Sequence, residues 1–243
     1  MREQYLTWQP FKHPGVLISN ETHSFYHPGK RAIDVLLTVA LLLLSTPLML
    51  LIAILIKLDS PGPILFSQER VGARRRSVRG STIWEIRTFR VYKFRSMVHN
   101  ADQSLHQTYI KAFAAGQLET SNGAGPKFKL TGDPRVTRLG RILRKSSLDE
   151  LPQLINVAKG EMSLVGPRPV PAYEVEQYQA HHRERLVALP GITGIWQVRG
   201  RGQATFEEMI RMDIDYVRRR SLWFDFKILL LTIPAVLSGK GAE

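Results

Sequence analysis

The sequence predicts a helix-rich α/β protein with a small sheet, attached to a membrane by an apolar segment near its N-terminus. Three patterns carry this prediction. No charged residue occurs between Asp34 and Lys57, which is typical of a membrane segment. Residues 82–94 alternate between apolar and polar, as a strand does. Residues 136–145 have helical spacing, and several further helices are expected after them.

Composition narrows the chemistry before any motif is considered. The 243 residues include 34 Lys+Arg against 21 Asp+Glu, a net charge of +13, and no cysteine. Without cysteine, a disulfide framework, a cysteine-bound metal centre and a thiol nucleophile are excluded. A metal would need oxygen or imidazole ligands, which favours Mg²⁺ chemistry. The excess of basic residues favours an acidic partner such as nucleic acid, anionic lipid or a phosphorylated substrate.

Residues 1–26 show no clear periodicity, and we interpret them as an N-terminal extension. Residues 27–60 form the membrane segment, whose uncharged stretch would be roughly 33 Å long as a helix, enough to cross a bilayer core of ~30 Å. A signal peptide is not favoured, because the run starts far from Met1 and no small-residue cleavage site follows it. The stretch is apolar on every face, which also argues against a buried core helix.

The residues leave two membrane topologies open. The first is a single helix that spans the bilayer. The second is a re-entrant hairpin that enters and leaves on the same side, favoured by Pro47 at the centre with Ser45 and Thr46 before it. Proline removes a backbone donor, and the hydroxyls can satisfy the carbonyls that it leaves unpaired. Both flanks are basic, which would keep both ends in the cytoplasm.

The body of the chain is predicted at residues 61–220, followed by a C-terminal segment at 221–243. Strands are expected at 64–70 and 82–94, and helices at 99–117, 136–145, 149–158, 173–188 and 206–220. Ser147 and Glu150 have the spacing of a capping box at the start of one helix. Residues 221–237 suit an interfacial helix with aromatic anchors, and an ordinary amphipathic core helix is the alternative.

The adjacent carboxylates of Asp149 and Glu150 are the candidate catalytic pair. In isolation such a pair is usually a helix cap that compensates the helix dipole. Here arginines surround it in the sequence: Arg135, Arg138, Arg141, Arg144 and Arg168. Guanidinium groups bind phosphate through paired hydrogen bonds. A carboxylate among them would serve as a nucleophile at phosphorus, forming an acyl phosphate, and its neighbour would hold Mg²⁺.

The segment from Lys93 to Met97, which includes Arg95, has two interpretations. It is either an edge strand with solvated charges or part of an anion pocket. A nucleic-acid-binding protein would also be basic, but a membrane segment beside a phosphate-type turn and paired carboxylates is not expected there. The competing function is a membrane-tethered basic protein that binds anionic lipid or nucleic acid without catalysis. In that case Asp149 and Glu150 would only cap a helix.

From about Lys30 to its C-terminus, the chain resembles the bacterial sugar transferases. These are the monotopic phosphoglycosyl transferases that initiate polysaccharide and glycoconjugate assembly. The matching segments are, in order, KRAIDVLL, STP, SPGPILFSQERVG, YKFRSMV, DPRVTRLGRILRKSSLDELPQLINVAKGEMSLVGPRP, PGITGIWQVRGR and SLWFDFKILLLTIP. The long middle segment is the most specific of these. The basic run at residues 73–81 departs from the family, in which a glycine-containing linker is expected.

The resemblance implies transfer of a sugar-1-phosphate from a UDP-sugar to a polyprenyl phosphate, with release of UMP. It implies a ping-pong mechanism through a phosphosugar-aspartate at Asp149, with Glu150 as the carboxylate linked to Mg²⁺. Arg144 and Arg168 match phosphate-binding positions. Lys93 and Arg95 lie in a motif close to the site. Arg135, one of the arginines that precede the pair, is also predicted to bind substrate phosphate.

The resemblance also implies a place in the cell. Ser45, Thr46 and Pro47 match the break of a re-entrant membrane helix, which favours the hairpin topology. The active site would then face the cytoplasm at the bacterial inner membrane, in contact with membrane lipids. Nucleic acid is not expected as a partner, and homo-oligomer formation is left open. Trp196 and the C-terminal tail are similar to the exopolysaccharide-initiating branch, which favours UDP-glucose or UDP-galactose as the donor.

Overall fold

The computed structural model describes residues 16–19, 25–78, 81–117, 132–200 and 204–239. Within them the helices are α1 (Tyr26–Asp59), α2 (Ser104–Ala114), α3 (Arg138–Lys145), α4 (Gln153–Lys159), α5 (Ala172–Val175), α6 (Ile195–Arg199), α7 (Phe206–Arg219) and α8 (Leu222–Ser238). The strands are β1 (Val16–Ser19), β2 (Leu65–Val78), β3 (Ser81–Phe94), β4 (Ser163–Val165) and β5 (Gly191–Thr193). Short 3-10 segments lie at Leu148–Glu150 and His181–Leu186. Most of the predicted N-terminal extension, residues 1–26, lies outside the described residues.

The strands form two small sheets. One is antiparallel in the order β1-β3-β2, and the other pairs β4 with β5 in parallel. Strand β2 is longer than the predicted strand at 64–70, because it pairs with β3 along its whole length, from Leu65 opposite Phe94 to Val78 opposite Ser81. The prediction of a helix-rich fold with a small sheet is therefore confirmed.

Helix α1 is the one long apolar helix among the described residues. Its 34 residues include Pro47, and its mean hydropathy and length would allow it to cross a membrane. Only 11% of its most apolar window is buried inside the protein. The leucines along its middle are consequently exposed, for example Leu43 and Leu44 at 72% and 79%. A helix with so much apolar surface exposed is consistent with association with a membrane.

Polar contacts fasten the first part of α1 to the rest of the protein. The ammonium of Lys30 lies 2.7 Å from the carboxylate of Asp225 in α8. Arg31 donates to the last carbonyls of α4, at 2.6 and 2.8 Å. The buried carboxylate of Asp34 accepts a hydrogen bond from the backbone N–H of Leu164 in β4, at 3.2 Å. Three different elements therefore hold this end of the helix.

Apolar packing fastens the last part of α1 to the same body. Ile52 and Ile56 are 3% and 2% exposed, and they form a cluster with Phe94 of β3 and Leu143 of α3. Burial of each such side chain contributes about 2 kcal/mol. The two ends of α1 are thus docked on one body, and the exposed leucines lie between them.

The predicted helix over residues 173–188 is wrong. The structure has the short helix α5, then an irregular stretch, then a 3-10 segment. The polar residues that suggested a solvated helix are instead buried: Glu174 and Arg185 are 1% and 2% exposed, and Arg185 pairs with Asp213 of α7. Buried charged residues need partners of opposite charge. Here the backbone departs from a regular helix, and Glu174 and Arg185 reach their partners in the interior.

Helix α8 keeps most of its apolar residues exposed. Its buried residues are Asp225 and Ile228, whereas Trp223, Phe226 and Leu237 are 63%, 47% and 81% exposed. This pattern favours an interfacial helix over an ordinary core helix, since a core helix would bury its apolar face.

We expect Asp225→Asn to destabilise the protein by about 2–3 kcal/mol, because a buried carboxylate that pairs with Lys30 is lost. Tyr26 and Tyr216 also donate to this carboxylate, at 3.1 and 2.8 Å. Thermal unfolding in detergent measures the change. The matched control is Asp215→Asn, which removes an exposed pair with Arg219 and should cost less than about 0.5 kcal/mol. Equal effects of the two substitutions would contradict this role of Asp225.

Candidate active site

The chain around Asp149 and Glu150 is a tight turn rather than a helix start. Ser147 is left-handed, with φ of 58°, and its side chain makes no capping hydrogen bond. The 3-10 segment Leu148–Glu150 follows, and α4 begins only at Gln153, after Pro152. The predicted capping box of Ser147 and Glu150 is therefore wrong. The Glu150 carboxylate contacts the cations of Lys93 and Arg168.

Glu150 binds two of the predicted phosphate-binding residues. Its Oε1 lies 2.7 Å from Nζ of Lys93 and 3.4 Å from a guanidinium nitrogen of Arg168. All three side chains are less than a fifth exposed. Burial lowers the pKa of Lys93, and the neighbouring charge of Glu150 opposes that shift. The structure thus brings together residues that are far apart in the sequence.

Asp149 lies beside this group and is 8% exposed. It interacts electrostatically with Lys93 and with Arg144 of α3. Arg144 is held in place by a hydrogen bond from its Nε to the hydroxyl of Ser96, at 2.9 Å. Burial lowers the pKa of Arg144, and the charge of Asp149 opposes that shift. The predicted nucleophile therefore lies close enough to two cations to interact with both.

A close backbone contact joins the helix that carries Arg144 to the segment that follows Lys93. Helix α3 packs so closely on the strand end that carries Lys93 that a Cβ on Gly140 would overlap the carbonyl oxygen of Ser96. The backbone N–H of Thr137 also donates to that carbonyl, at 3.1 Å. A glycine at position 140 is what allows α3 to approach and Arg144 to reach Ser96.

Arg168 lies in the turn after β4, and a buried network supports it. Its guanidinium lies over the ring of Trp196, 5.9 Å from the centroid. Behind it, the guanidinium of Arg185 donates to the carbonyl of Arg168, at 3.2 Å. Arg185 also pairs with Asp213 and lies 3.6 Å from Glu174. Burial raises the pKa of Asp213 to about 6. This network connects the turn to α7 through Arg185 and Asp213.

The structure adds Arg70 and Gln153, which the sequence analysis did not select. A cleft beside Glu150 is lined by Arg70, Val91, Lys93, Gln153, Arg168, Pro169 and Gly191. Burial and the neighbouring charge of Arg168 lower the pKa of Arg70 to about 10. The pairing of β2 with β3 would have pointed to Arg70. In the register of this hairpin Arg70 lies on the same face of the sheet as Lys93.

Two predicted phosphate-binding arginines make their main contacts outside this group. Arg95 is 5% exposed and donates to the carbonyls of Ile56, Ser60 and Pro61, at 3.3, 2.6 and 2.8 Å. It thereby satisfies carbonyls at the end of α1. Arg135 pairs with Asp133, through bonds of 2.8 and 2.6 Å. Phosphate binding by either arginine stays a prediction.

The three residues of the predicted helix break lie within α1. Pro47 is an internal residue of that helix. The hydroxyl of Thr46 donates to the carbonyl of Leu42, at 2.6 Å, and Ser45 contacts the sulfur of Met49 at 3.5 Å. A hydroxyl that binds the carbonyl one turn earlier favours local bending.

Glu150 is also the predicted ligand of Mg²⁺. A carboxylate oxygen suits this hard cation, which usually keeps several waters and binds through one or two carboxylates plus substrate phosphates. Since Oε1 already binds Lys93 and Arg168, a cation would face two positive charges at close range. The negative charge of a diphosphate would offset that repulsion. These residues therefore fit an Mg²⁺ ion that binds together with a diphosphate, and Mg²⁺ stays a prediction.

A second group of potential metal ligands lies elsewhere, at His181, His182 and Glu207. The Nδ1 of His182 accepts the backbone N–H of Gln179, at 3.2 Å. The neutral ring therefore carries its proton on Nε2, which lies 2.9 Å from the Glu207 carboxylate. A protonated nitrogen cannot ligate a metal. The proximity of these three side chains is therefore explained by hydrogen bonding and not by a metal site.

Comparison with known proteins identifies the family. The profile of the family described as bacterial sugar transferase matches residues 25–239. The chain belongs to the bacterial sugar transferases. This confirms the predicted family and the prediction that the protein is a transferase. The sugar transferase is 39% identical over 214 residues to the exopolysaccharide production protein ExoY of Sinorhizobium fredii, and the match covers 88% of both chains.

Two further relatives are longer than this sugar transferase. It is 43% identical over 183 residues to galactosyl transferase CpsE of Streptococcus agalactiae, a match of 75% of this chain and 36% of the relative. It is 41% identical over 221 residues to the UDP-glucose:undecaprenyl-phosphate glucose-1-phosphate transferase of Caulobacter vibrioides, a match of 88% and 71% of the two chains. The chain thus spans about a third of one relative and most of the other.

We expect Arg95→Met to destabilise the sugar transferase by about 3 kcal/mol, because buried carbonyls at the end of α1 lose their donor. Where the variant remains folded, its KM for the nucleotide sugar should stay within about twofold of the wild-type value. Thermal unfolding and steady-state kinetics test the two parts. Arg90→Met, at an exposed position in β3 just before Arg95, is the control. A variant with normal stability and a raised KM would instead support phosphate binding by Arg95.

Proposed function

We propose that this sugar transferase moves a sugar-1-phosphate from a UDP-sugar to a polyprenyl phosphate and releases UMP. The observation that carries the proposal is the buried carboxylate of Asp149, which interacts with Lys93 and Arg144 and adjoins Glu150, the partner of Lys93. Such a carboxylate is a suitable nucleophile, and the cations would stabilise the phosphate that it attacks. The name of the Caulobacter relative specifies a transfer of this class.

The proposed reaction has two steps. In the first, a carboxylate oxygen of Asp149 attacks the phosphorus that carries the sugar, and the bond from that phosphorus to the bridging oxygen breaks. UMP leaves with the bridging oxygen, and the sugar-phosphate is bound to Asp149 as an acyl phosphate. In the second, a phosphate oxygen of the polyprenyl phosphate attacks the same phosphorus. The carboxylate is released, and the product is a polyprenyl diphosphate sugar.

The surrounding residues are assigned roles by their contacts. Arg144 and Lys93 would bind oxygens of the attacked phosphate, and Arg168 would bind the diphosphate from the side of Glu150. Glu150 keeps Lys93 oriented through the 2.7 Å contact and would also hold Mg²⁺. Bound there, the ion would neutralise charge on the diphosphate and assist departure of UMP.

The alternative, a tethered basic protein without catalysis, is less well supported. It requires Asp149 and Glu150 to act as helix caps. The Glu150 carboxylate instead contacts Lys93 and Arg168, and α4 begins after both acids. A surface that only attracts anions does not need a buried carboxylate among its cations, since the acid opposes the attraction.

A re-entrant topology for α1 is part of the proposal. Both ends of the helix contact one body, through Lys30 and Arg31 at the start and Ile52 and Ile56 at the end. The apolar middle around Pro47 would enter the bilayer and return to the same side. Basic flanks would keep the body at the cytoplasmic face of the inner membrane. The exposed apolar residues of α8 would rest in the headgroup layer.

We favour UDP-glucose or UDP-galactose as the donor. Two of the relatives are named for these sugars, one as a galactosyl transferase and one as a UDP-glucose enzyme. UMP release from purified protein with Mg²⁺, polyprenyl phosphate and a panel of UDP-sugars measures the preference directly. Silence across the panel from folded protein would contradict the donor class.

We expect Asp149→Asn to lower UMP release by ~10³-fold or more, because the amide is a far weaker nucleophile than the carboxylate. With a UDP-sugar labelled in its sugar-linked phosphate and no acceptor, wild-type protein should become labelled and the variant should not. Asp215→Asn, at an exposed surface pair, is the control. Turnover of Asp149→Asn at near the wild-type rate, in a folded sample, would show that another group is the nucleophile.

We expect both flanks of α1 to lie on the cytoplasmic side of the membrane. The chain has no cysteine, so the exposed positions in Phe25→Cys and Asp59→Cys each provide a unique label site. A membrane-impermeant thiol reagent should label neither variant in intact spheroplasts and both in inverted vesicles. Labelling of one flank from outside would establish a spanning helix and refute the re-entrant topology.

A further inference from the structure

The cleft beside Glu150 has a concentration of positive charge that the proposed roles do not fully use. Arg70, Lys93 and Arg168 line it together. Glu150 contacts Lys93 and Arg168 through a single oxygen, Oε1. Arg70 instead donates to neutral oxygens, the Gln68 side chain at 2.6 Å and the Pro169 carbonyl at 3.5 Å. Like charges held this close favour an anionic ligand in the cleft.

The buried acids behind the cleft are engaged elsewhere. Glu174 interacts with Arg70, but it also lies 3.6 Å from the guanidinium of Arg185. Asp213 pairs with Arg185 as well. Arg70 therefore faces the cleft with a guanidinium that these acids only partly balance.

Gln153 adds a neutral donor to the same cleft. It is the first residue of α4, four positions after Asp149, and it is 2% exposed. The buried side chain of Asn156 fixes this helix to β3, accepting the backbone N–H of Tyr92 at 3.1 Å and donating to the Arg90 carbonyl at 2.7 Å. The position of Gln153 relative to Lys93 is set by that attachment.

Lys93 connects Arg70 with Asp149, because it lines the cleft with Arg70 and its ammonium lies 2.7 Å from the carboxylate of Glu150, the residue next to Asp149. The cations that interact with Asp149 include Lys93 and Arg144. A diphosphate that presents one phosphorus to Asp149 would therefore extend its other phosphate toward Arg70.

We propose that Arg70 and Gln153 bind the phosphate of the donor that is not attacked and that leaves with the nucleoside. This inference rests on the proposed function and assigns a part of the same site to one substrate group. Arg70 would bind two phosphate oxygens through its guanidinium, and the Gln153 amide would donate to one of them. The two residues would thus act in the first step and not in the second, in which UMP has already left.

The test separates the two steps. Isothermal titration of the full-length protein in nanodiscs with UMP and Mg²⁺ should show about tenfold weaker binding for Arg70→Gln and for Gln153→Ala, the loss expected for one strong hydrogen bond. The KM for the UDP-sugar should rise similarly. Transfer from preloaded phosphosugar-enzyme to polyprenyl phosphate should stay within twofold of wild type. Arg70→Lys, which keeps the charge, should lose less than Arg70→Gln.

Arg74→Gln is the matched control, since Arg74 lies on the same strand with its side chain exposed. If Arg70→Gln binds UMP within twofold of the wild-type affinity, the inference is overturned. The proposed function still stands in that case, provided that the wild-type protein turns over substrate. Equal slowing of both steps would also overturn the inference. Absence of both UMP binding and turnover in folded wild-type protein would refute the inference and the proposed function together. If Arg70→Gln does not fold, Arg70→Lys and Gln153→Ala carry the same comparison.

Discussion

The attachment of α1 to one body at two places is the constraint on which the rest of the structure depends. The first part of the helix contacts α4, β4 and α8, and the last part contacts β3 and α3. The same elements carry the site: α3 carries Arg144, the end of β3 carries Lys93, and α4 begins with Gln153. In the proposed reaction the acceptor's phosphate lies at the membrane surface. Any shift of α1 would therefore change the height of Asp149 above that surface.

Electrostatics determines how the site is held together. Arg70, Arg168 and Lys93 are brought together at some cost in free energy, which appears in the lowered pKa of Arg70 and of Lys93. Glu150 and the Arg185 network offset part of that cost. A bound diphosphate would offset the remainder, so substrate affinity and the stability of the loaded protein are linked quantities. The buried acids behind the site thus serve to place cations where a substrate completes their charge balance.

Elements that show a local hydrophobic periodicity were predicted well from the sequence, and contacts between residues distant in the sequence were predicted poorly. The apolar run that became α1 and the alternation that became β3 depend on local periodicity, which neighbours do not override. Ser147 and Glu150 had capping-box spacing, but Lys93, distant in sequence, captured the carboxylate. The helix expected at 173–188 failed because Glu174 and Arg185 meet Asp213 in the interior. Arg70 escaped selection because its place in the cleft depends on hairpin register, and Arg95 reaches the end of α1 through a turn that no local pattern encodes.

The glycine at position 140 has a consequence for motion. Its missing side chain lets the backbone of α3 rest directly on the carbonyl of Ser96, with no flexible side chain in between to absorb a displacement. Close-packed backbone surfaces of this kind tend to shift as units rather than deform gradually. The segments that carry Arg144 and Lys93 should consequently move together as one rigid unit. Adjustment to donor or acceptor would then fall to the opposite side of the cleft, at the Arg168 turn.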